Sequence, residues 1–257
     1  MHTDLTLNLA TLCGFLLVLA RVSGLIALVP IPGLAAAPDS GRIALALAIT
    51  AGLLPVWPRP NNIDLLSGRM LGALAAEASF GVTVGVAVAF LLEGVQLAAQ
   101  VIGLQAGYSF ASTIDPVTQA DSTSLQILAQ LFAGSLFFAF GFDHQVLLVL
   151  ARSFEKIPSG TFALTGPLAD SVARLGSGIF LTGLQLALPV LALTLLLEIG
   201  FAVLGRLHAQ LQLLTLAFAA KMLVALAFLA STLALFPAVF EKFGAVTFGT
   251  LLRLLDR

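Results

Sequence analysis

Six long apolar stretches dominate this chain, at about residues 5–29, 43–57, 70–106, 124–151, 176–204 and 211–236. A bilayer-spanning helix needs roughly 20 mostly apolar residues, and a helix satisfies its own backbone hydrogen bonds where no water can. The chain therefore reads as an all-α integral membrane protein of about six hydrophobic helical segments. The second stretch is short and carries Pro55. The third is too long for one upright span, so it is tilted, broken, or runs into a re-entrant stretch. Pro189 should kink or break the fifth.

Charge supports this reading. Only 10% of residues are charged and 59% are hydrophobic, whereas soluble domains carry about a quarter charged residues. The apolar surplus must face lipid or protein partners. A net charge of −1 argues against nucleic acid and acidic substrates as partners. The single cysteine, Cys13, lies in an apolar run and reads as a small buried hydrophobe. No Lys or Arg precedes Arg21, so the first stretch reads as a retained helix rather than a signal peptide.

The gaps are short and rich in turn formers, with Pro30, Pro32, Gly33 and Pro38 in the first, Pro58, Pro60, Asn61 and Asn62 in the second, and Pro158, Gly160, Gly166 and Pro167 near 152–175. They leave no room for an aqueous catalytic domain. With six true spans, Arg59, Arg69, Arg152, Lys156, Arg174, Lys242, Arg253 and Arg257 share one side, against Arg42 and Arg206 on the other. The positive-inside rule then puts the first set, including a C-terminal tail at 237–257, in the cytosol.

No Lys or Arg occurs between Arg69 and Arg152. Within that interval, residues 107–123 form a polar, Gly- and Pro-bearing stretch between two apolar segments. It reads either as an ordinary loop outside the membrane or as a loop lining or closing a water-filled pore. In the second case Phe110 and Ile114 supply apolar obstruction, and Asp115-Pro116 sets a rigid turn. Gly81 and Gly85, and Gly103 and Gly107, have the spacing that lets helix backbones approach closely, within the chain or between subunits. Arg21, Glu77, Glu93, Asp143, His144, Glu198, Arg206 and Lys221 lie within or near apolar segments. Each is costly in lipid, so each faces a partner helix or water, or reaches the interface from a segment end. Glu198 and Arg206 lie two turns apart on one face and can bracket a pairing site on a neighbouring subunit.

The sequence holds no HExxH, GxSxG, Walker A or CxxC motif. His2, His144 and His208 are isolated from one another. We therefore expect no catalytic, cofactor or metal site. A secondary transporter would favour paired broken segments in two halves, and no clear repeat is visible.

Several of these features occur together in one family. Arg21-Val-Ser-Gly-Leu, then Val29-Pro-Ile-Pro-Gly33, then Arg42, Glu77-Ala-Ser-Phe-Gly81-Val-Thr-Val-Gly85 and Glu93 follow in order. Gly103-Leu-Gln-Ala-Gly107-Tyr-Ser-Phe-Ala-Ser-Thr-Ile-Asp115-Pro116, Asp143-His144, Ser153 and Pro158 complete the set. This ordered set resembles the FliR family of flagellar biosynthetic membrane proteins, which is similar to the T-type export proteins of virulence injectisomes. The likeness covers nearly the whole chain. It departs near the end, where Arg206-Leu-His-Ala209-Gln210-Leu-Gln212 stands for the family's Arg-x-x-Pro-Gln-x-Asn-like element, leaving Arg206 and Gln210 as matches.

The resemblance implies a single domain over 1–257, with two halves at about 1–123 and 124–257, and a chain built like a fusion of a FliP-like and a FliQ-like unit. It implies assembly with FliP and FliQ into a helical export gate in the inner membrane, within the flagellar basal body and near FlhB and FlhA. Several segments would then be bent hairpins, and unfolded flagellar subunits would pass through the gate. The loop at Gly107, Tyr108, Phe110, Ile114, Asp115 and Pro116 matches the family's plug. Arg21, Glu77, Glu93, Glu198, Arg206, Gln210 and Lys221 become candidates for polar contacts between subunits. A small-solute permease and an injectisome gate subunit are the alternatives.

Overall fold

A computed structural model of the chain describes residues 9–29, 39–57, 68–108, 124–207 and 213–255. Every regular element among them is helical. In chain order these are α1 (Leu9–Leu28), α2 (Asp39–Gly52), α3 (Gly68–Ala106), α4 (Ser124–Ala139), α5 (Phe142–Lys156), α6 (Gly166–Leu207), α7 (Leu213–Thr232) and α8 (Phe236–Leu255). One-turn 3-10 helices follow α2 at Leu54–Val56 and join α7 to α8 at Leu233–Leu235.

The all-α membrane architecture stands, with changes to its parts. Four helical runs are long and apolar enough to span a membrane, and a fifth results if the bent pair α4 and α5 counts as one span. The stretch at 43–57 gives only the 14-residue α2, with Pro55 in the 3-10 turn that follows. The positive-inside assignment assumed six spans and loses that premise. The third stretch is one unbroken helix of 39 residues. The fourth is divided at Gly141, whose φ of 65° suits glycine. Asp143 in the first turn and Lys156 in the last then complement the dipole of α5.

Two expectations fail at the C-terminal end. Pro189 does not break the fifth stretch, because it lies inside the continuous 42-residue α6. Neighbouring turns hold a helix together across the one backbone bond that a proline removes. Residues 237–255, expected within a C-terminal tail at 237–257, form most of α8 instead. Phe236, Phe240, Phe243, Thr247, Leu251 and Leu255 are buried along it at helical spacing.

The chain builds two compact units, each drawing on separate parts of the sequence. One comprises Met1–Phe90, Phe137–Gly176 and Val246–Arg257, and the other Leu91–Leu136 and Ser177–Ala245. The halves expected from the sequence are, by contrast, consecutive stretches. In the first unit Leu17, Val18 and Val22 of α1, Val84 and Val88 of α3, and Val149 and Leu150 of α5 are fully buried or nearly so. Phe142 meets Phe248 of α8 at 5.2 Å between ring centres. In the second unit Leu91, Leu92 and Val95 of α3 are buried, as are Ala187 and Val190 of α6 and Phe240 of α8.

The helices differ in how much they bury. The most apolar window of α3 is 56% buried, against 22% for α6 and 17% for the run through α7 and α8. Leu181, Leu196 and Leu223 stand about 70% exposed. A chain alone in water would not keep such a surface, so lipid or other protein covers it.

Candidate functional site

Two groups of polar side chains interrupt the apolar helices. The first is a buried node in the first unit. Arg21 of α1 and Glu77 of α3 are both completely buried and form an ion pair through Nε and Oε2. Arg21 Nη1 donates to Ser153 Oγ of α5 at 2.8 Å, and Nη2 reaches the Ile157 carbonyl at 3.5 Å. Glu77 Oε1 accepts from the Gly160 backbone N–H at 2.8 Å. The guanidinium carbon lies 4.7 Å from the centre of the Phe80 ring and 4.3 Å from that of Phe154. The charge is thus paired, hydrogen-bonded and flanked by rings, which is how a protein tolerates a buried arginine.

Glycines make this crossing close. A Cβ on Gly81 would come within 2.1 Å of the Arg21 carbonyl oxygen. One on Gly24 would lie 2.6 Å from the Ala78 oxygen, and one on Gly85 2.9 Å from the Leu25 oxygen. Backbone therefore meets backbone where α1 crosses α3, and the ion pair lies beside that contact. Gly160, with φ of 77°, sits with its would-be Cβ 2.8 Å from Ala73 Cβ. This turn thereby brings its N–H to Glu77.

The sequence pointed to Arg21, Glu77, Gly81 and Gly85 but not to one another as partners. It missed the part played by Gly24, Ser153 and Gly160. The signal for Gly24 was its place one turn after Arg21, mirrored by Gly81 one turn after Glu77.

The second group is in the other unit, at the end of α3. Tyr108 N–H bonds to the Gly103 carbonyl at 2.9 Å and Gly107 N–H to Leu104 at 3.2 Å. These two hydrogen bonds, with Gly107 at φ 90°, make a Schellman end. A Cβ on Gly107 would also lie 2.7 Å from the Phe218 ring, so glycine is needed there twice over. Tyr108 Oη donates to the Met222 carbonyl of α7 at 2.9 Å, and burial raises its phenol above the ordinary range. The helix end that launches the 107–123 stretch is therefore anchored.

Nearby Lys221 of α7 pairs with Glu198 of α6, and Gln105 Nε2 lies 3.4 Å from the same carboxylate oxygen. Lys221 is 18% and Glu198 45% exposed. Arg206 is exposed in the last turn of α6. Glu198 thus pairs within its own chain, and its partner there is Lys221 rather than a group between it and Arg206. Glu93 is exposed on α3, and Gly103 is buried. Asp143 and His144 are exposed side by side in α5. Phe110, Ile114, Asp115, Pro116 and Gln210 lie outside the described residues. Among the described residues no group of three His, Cys, Asp or Glu side chains is placed to hold a metal ion.

The geometry of both groups offers anchoring and close helix contact. A family model described as bacterial export proteins, family 1, matches residues 12–245. The chain is similar to the flagellar biosynthetic protein FliR of Escherichia coli (strain K12), with 30% identity over 217 residues, 84% of this chain and 83% of that protein. It is 27% identical over 237 residues to FliR of Pectobacterium carotovorum subsp. carotovorum, covering 92% and 90%. Identity to FliR of Bacillus subtilis (strain 168) is 25% over 245 residues, 94% of each chain.

Proposed function

Because the chain belongs to family 1 of the bacterial export proteins, we propose that it is a core subunit of the flagellar protein-export gate. It is a membrane protein of a flagellar biosynthetic export family. In our reading it sits in the inner membrane at the flagellar basal body and assembles with FliP and FliQ, near FlhB and FlhA. Together they form the conduit for unfolded flagellar subunits. The protein does no chemistry, and the energy for transport is supplied elsewhere in the machine.

The observation that carries this reading is the family match over residues 12–245. The large exposed apolar faces of α6 and α7 agree with it, since a subunit taken out of an assembly keeps such faces. The stretch from Gly107 serves as a plug that closes the conduit at rest, hinged where Gly107 ends α3 and Tyr108 holds α7.

Affinity purification of the chain, tagged after Arg257, in mild detergent from its native host tests the proposal. Recovery of FliP and FliQ by mass spectrometry is expected. A folded, monodisperse chain recovered alone would overturn it and favour a small-solute permease. Injectisome subunits in their place would move the protein to a virulence system. For the plug, deletion of residues 108–114 should leak small ions while export persists, and unchanged conductance would remove that assignment.

A further inference from the structure

Between Leu91 and the end of α3 at Ala106, the helix has two unlike sides. Leu91, Leu92, Val95, Ala98, Ala99 and Ile102 are buried within the second unit. On the other side Glu93 and Gln100 are exposed and Gln96 is half-buried. Positions i, i+3 and i+7 fall on one helix face, so these three side chains form a single stripe about 10 Å long at 1.5 Å per residue. None of the three makes a hydrogen bond or ion pair with another described residue. The stripe lies in the 39-residue α3, which is long and apolar enough to span a membrane.

Lipid is a poor neighbour for it, because a carboxylate and two amides facing hydrocarbon have nothing to bond to. A partner helix would have to bring a cation for Glu93 and matched polar groups for both glutamines. Water and an extended polypeptide satisfy the stripe without such matching. Each glutamine offers both an acceptor and two donors, and every residue of an extended chain presents a backbone N–H and C=O. A rise of about 10 Å covers roughly three extended residues. The stripe itself carries no cation, and no Lys or Arg lies on α3 after Arg69. It can therefore hydrate and lightly hold a chain of any sequence without gripping an acidic one.

We propose that Glu93, Gln96 and Gln100 line the aqueous passage and contact the backbone of the unfolded polypeptide in transit. The inference rests on the export-gate reading and deepens it by assigning the substrate-facing surface of this subunit. The stripe ends two turns before Gly107, so the same helix that launches the plug lines the path beside it.

The test uses the full chain in its native host. Its only cysteine, Cys13, is 1% exposed, so single substitutions report on a quiet background. Gln96→Cys and Gln100→Cys are treated with a charged, membrane-impermeant maleimide, on cells and on inverted vesicles. Leu196→Cys, on an exposed apolar face, is the control. Labelling of positions 96 and 100 but not 196 is expected, together with loss of that labelling when an export substrate fused to a tightly folded domain is stalled in the gate. A photo-crosslinking residue at 100 should capture the stalled substrate. Labelling unchanged by the stalled substrate would overturn the proposal, as would crosslinks from 100 only to another membrane subunit. Co-purification of each variant with FliP and FliQ is measured in parallel. A chain that never enters a complex refutes the export-gate reading and this inference with it. A complex that forms while the labelling result goes the wrong way refutes the inference alone.

Discussion

Replacing Glu77 by Ala should be among the most damaging single changes in the first unit. The substitution leaves the Arg21 guanidinium completely buried with only Ser153, the Ile157 carbonyl and two rings around it. Stranding one member of a buried pair costs about 3–5 kcal/mol. The Gly160 N–H also loses its acceptor, at about 1–3 kcal/mol for a buried donor. The two losses share one side chain and do not simply add, so the total is about 4–5 kcal/mol. At roughly 2–4 °C per kcal/mol for a chain of this size, Tm falls by about 8–20 °C. Cys13 supplies the assay. It is buried in a cluster with Leu17, Met70 and Ala73, so a thiol-reactive dye in detergent reads the opening of α1 from α3. Arg21→Leu should behave like Glu77→Ala. The double variant Arg21→Leu, Glu77→Leu should recover most of the loss, because a buried ion pair can be exchanged for apolar side chains at little net cost. A shift below about 2 °C in the single variants, or a double variant worse than either, would refute the reasoning.

Four further outcomes follow from the contacts of the two polar groups. Gly81→Ala should destabilise the α1–α3 crossing by about 3 kcal/mol or more, since backbone must move to admit the methyl group. Gly72→Ala, with nothing within 4 Å of its Cβ position, should be neutral or slightly stabilising in the same dye assay. Tyr108→Phe should cost about 1 kcal/mol for its one hydrogen bond and raise resting conductance by loosening the plug's base; unchanged conductance would separate Tyr108 from the plug. Lys221→Ala should change stability by no more than about 1 kcal/mol, because its partner Glu198 is half exposed, and a loss several times larger would mean that the pair is sealed from water.

The apolar runs were legible because length and hydropathy alone decide whether a helix can cross a bilayer. Their interruptions were harder to read. Pro189 looked like a break, yet one missing backbone bond does not end a helix 42 residues long. Gly141 did end one, because a positive φ there turns the chain before α5 starts. α8 was hidden by averaging, since Glu241, Lys242 and Arg253 dilute its hydropathy while the buried phenylalanines keep a helical period. Arg21 and Glu77 were visible as intramembrane charges. Their pairing was not, because 56 residues separate them and local spacing carries no information at that range. Glu198 and Lys221 were separated in the same way, by 23 residues.

The Arg21 node also has a consequence for the order of events at the ribosome. α1 carries its arginine near the middle of a 20-residue helix, and Glu77 is 56 residues downstream. At roughly 5–20 residues per second, the helix waits about 3–11 s for its carboxylate. Until then α1 carries an unpaired cation, which costs about 2.5–3.5 kcal/mol at the centre of a spanning helix. Arrival of α3 with Glu77 removes that cost by pairing the charge. Ser153 arrives 132 residues after Arg21, so the node closes only when more than half of the chain has been made.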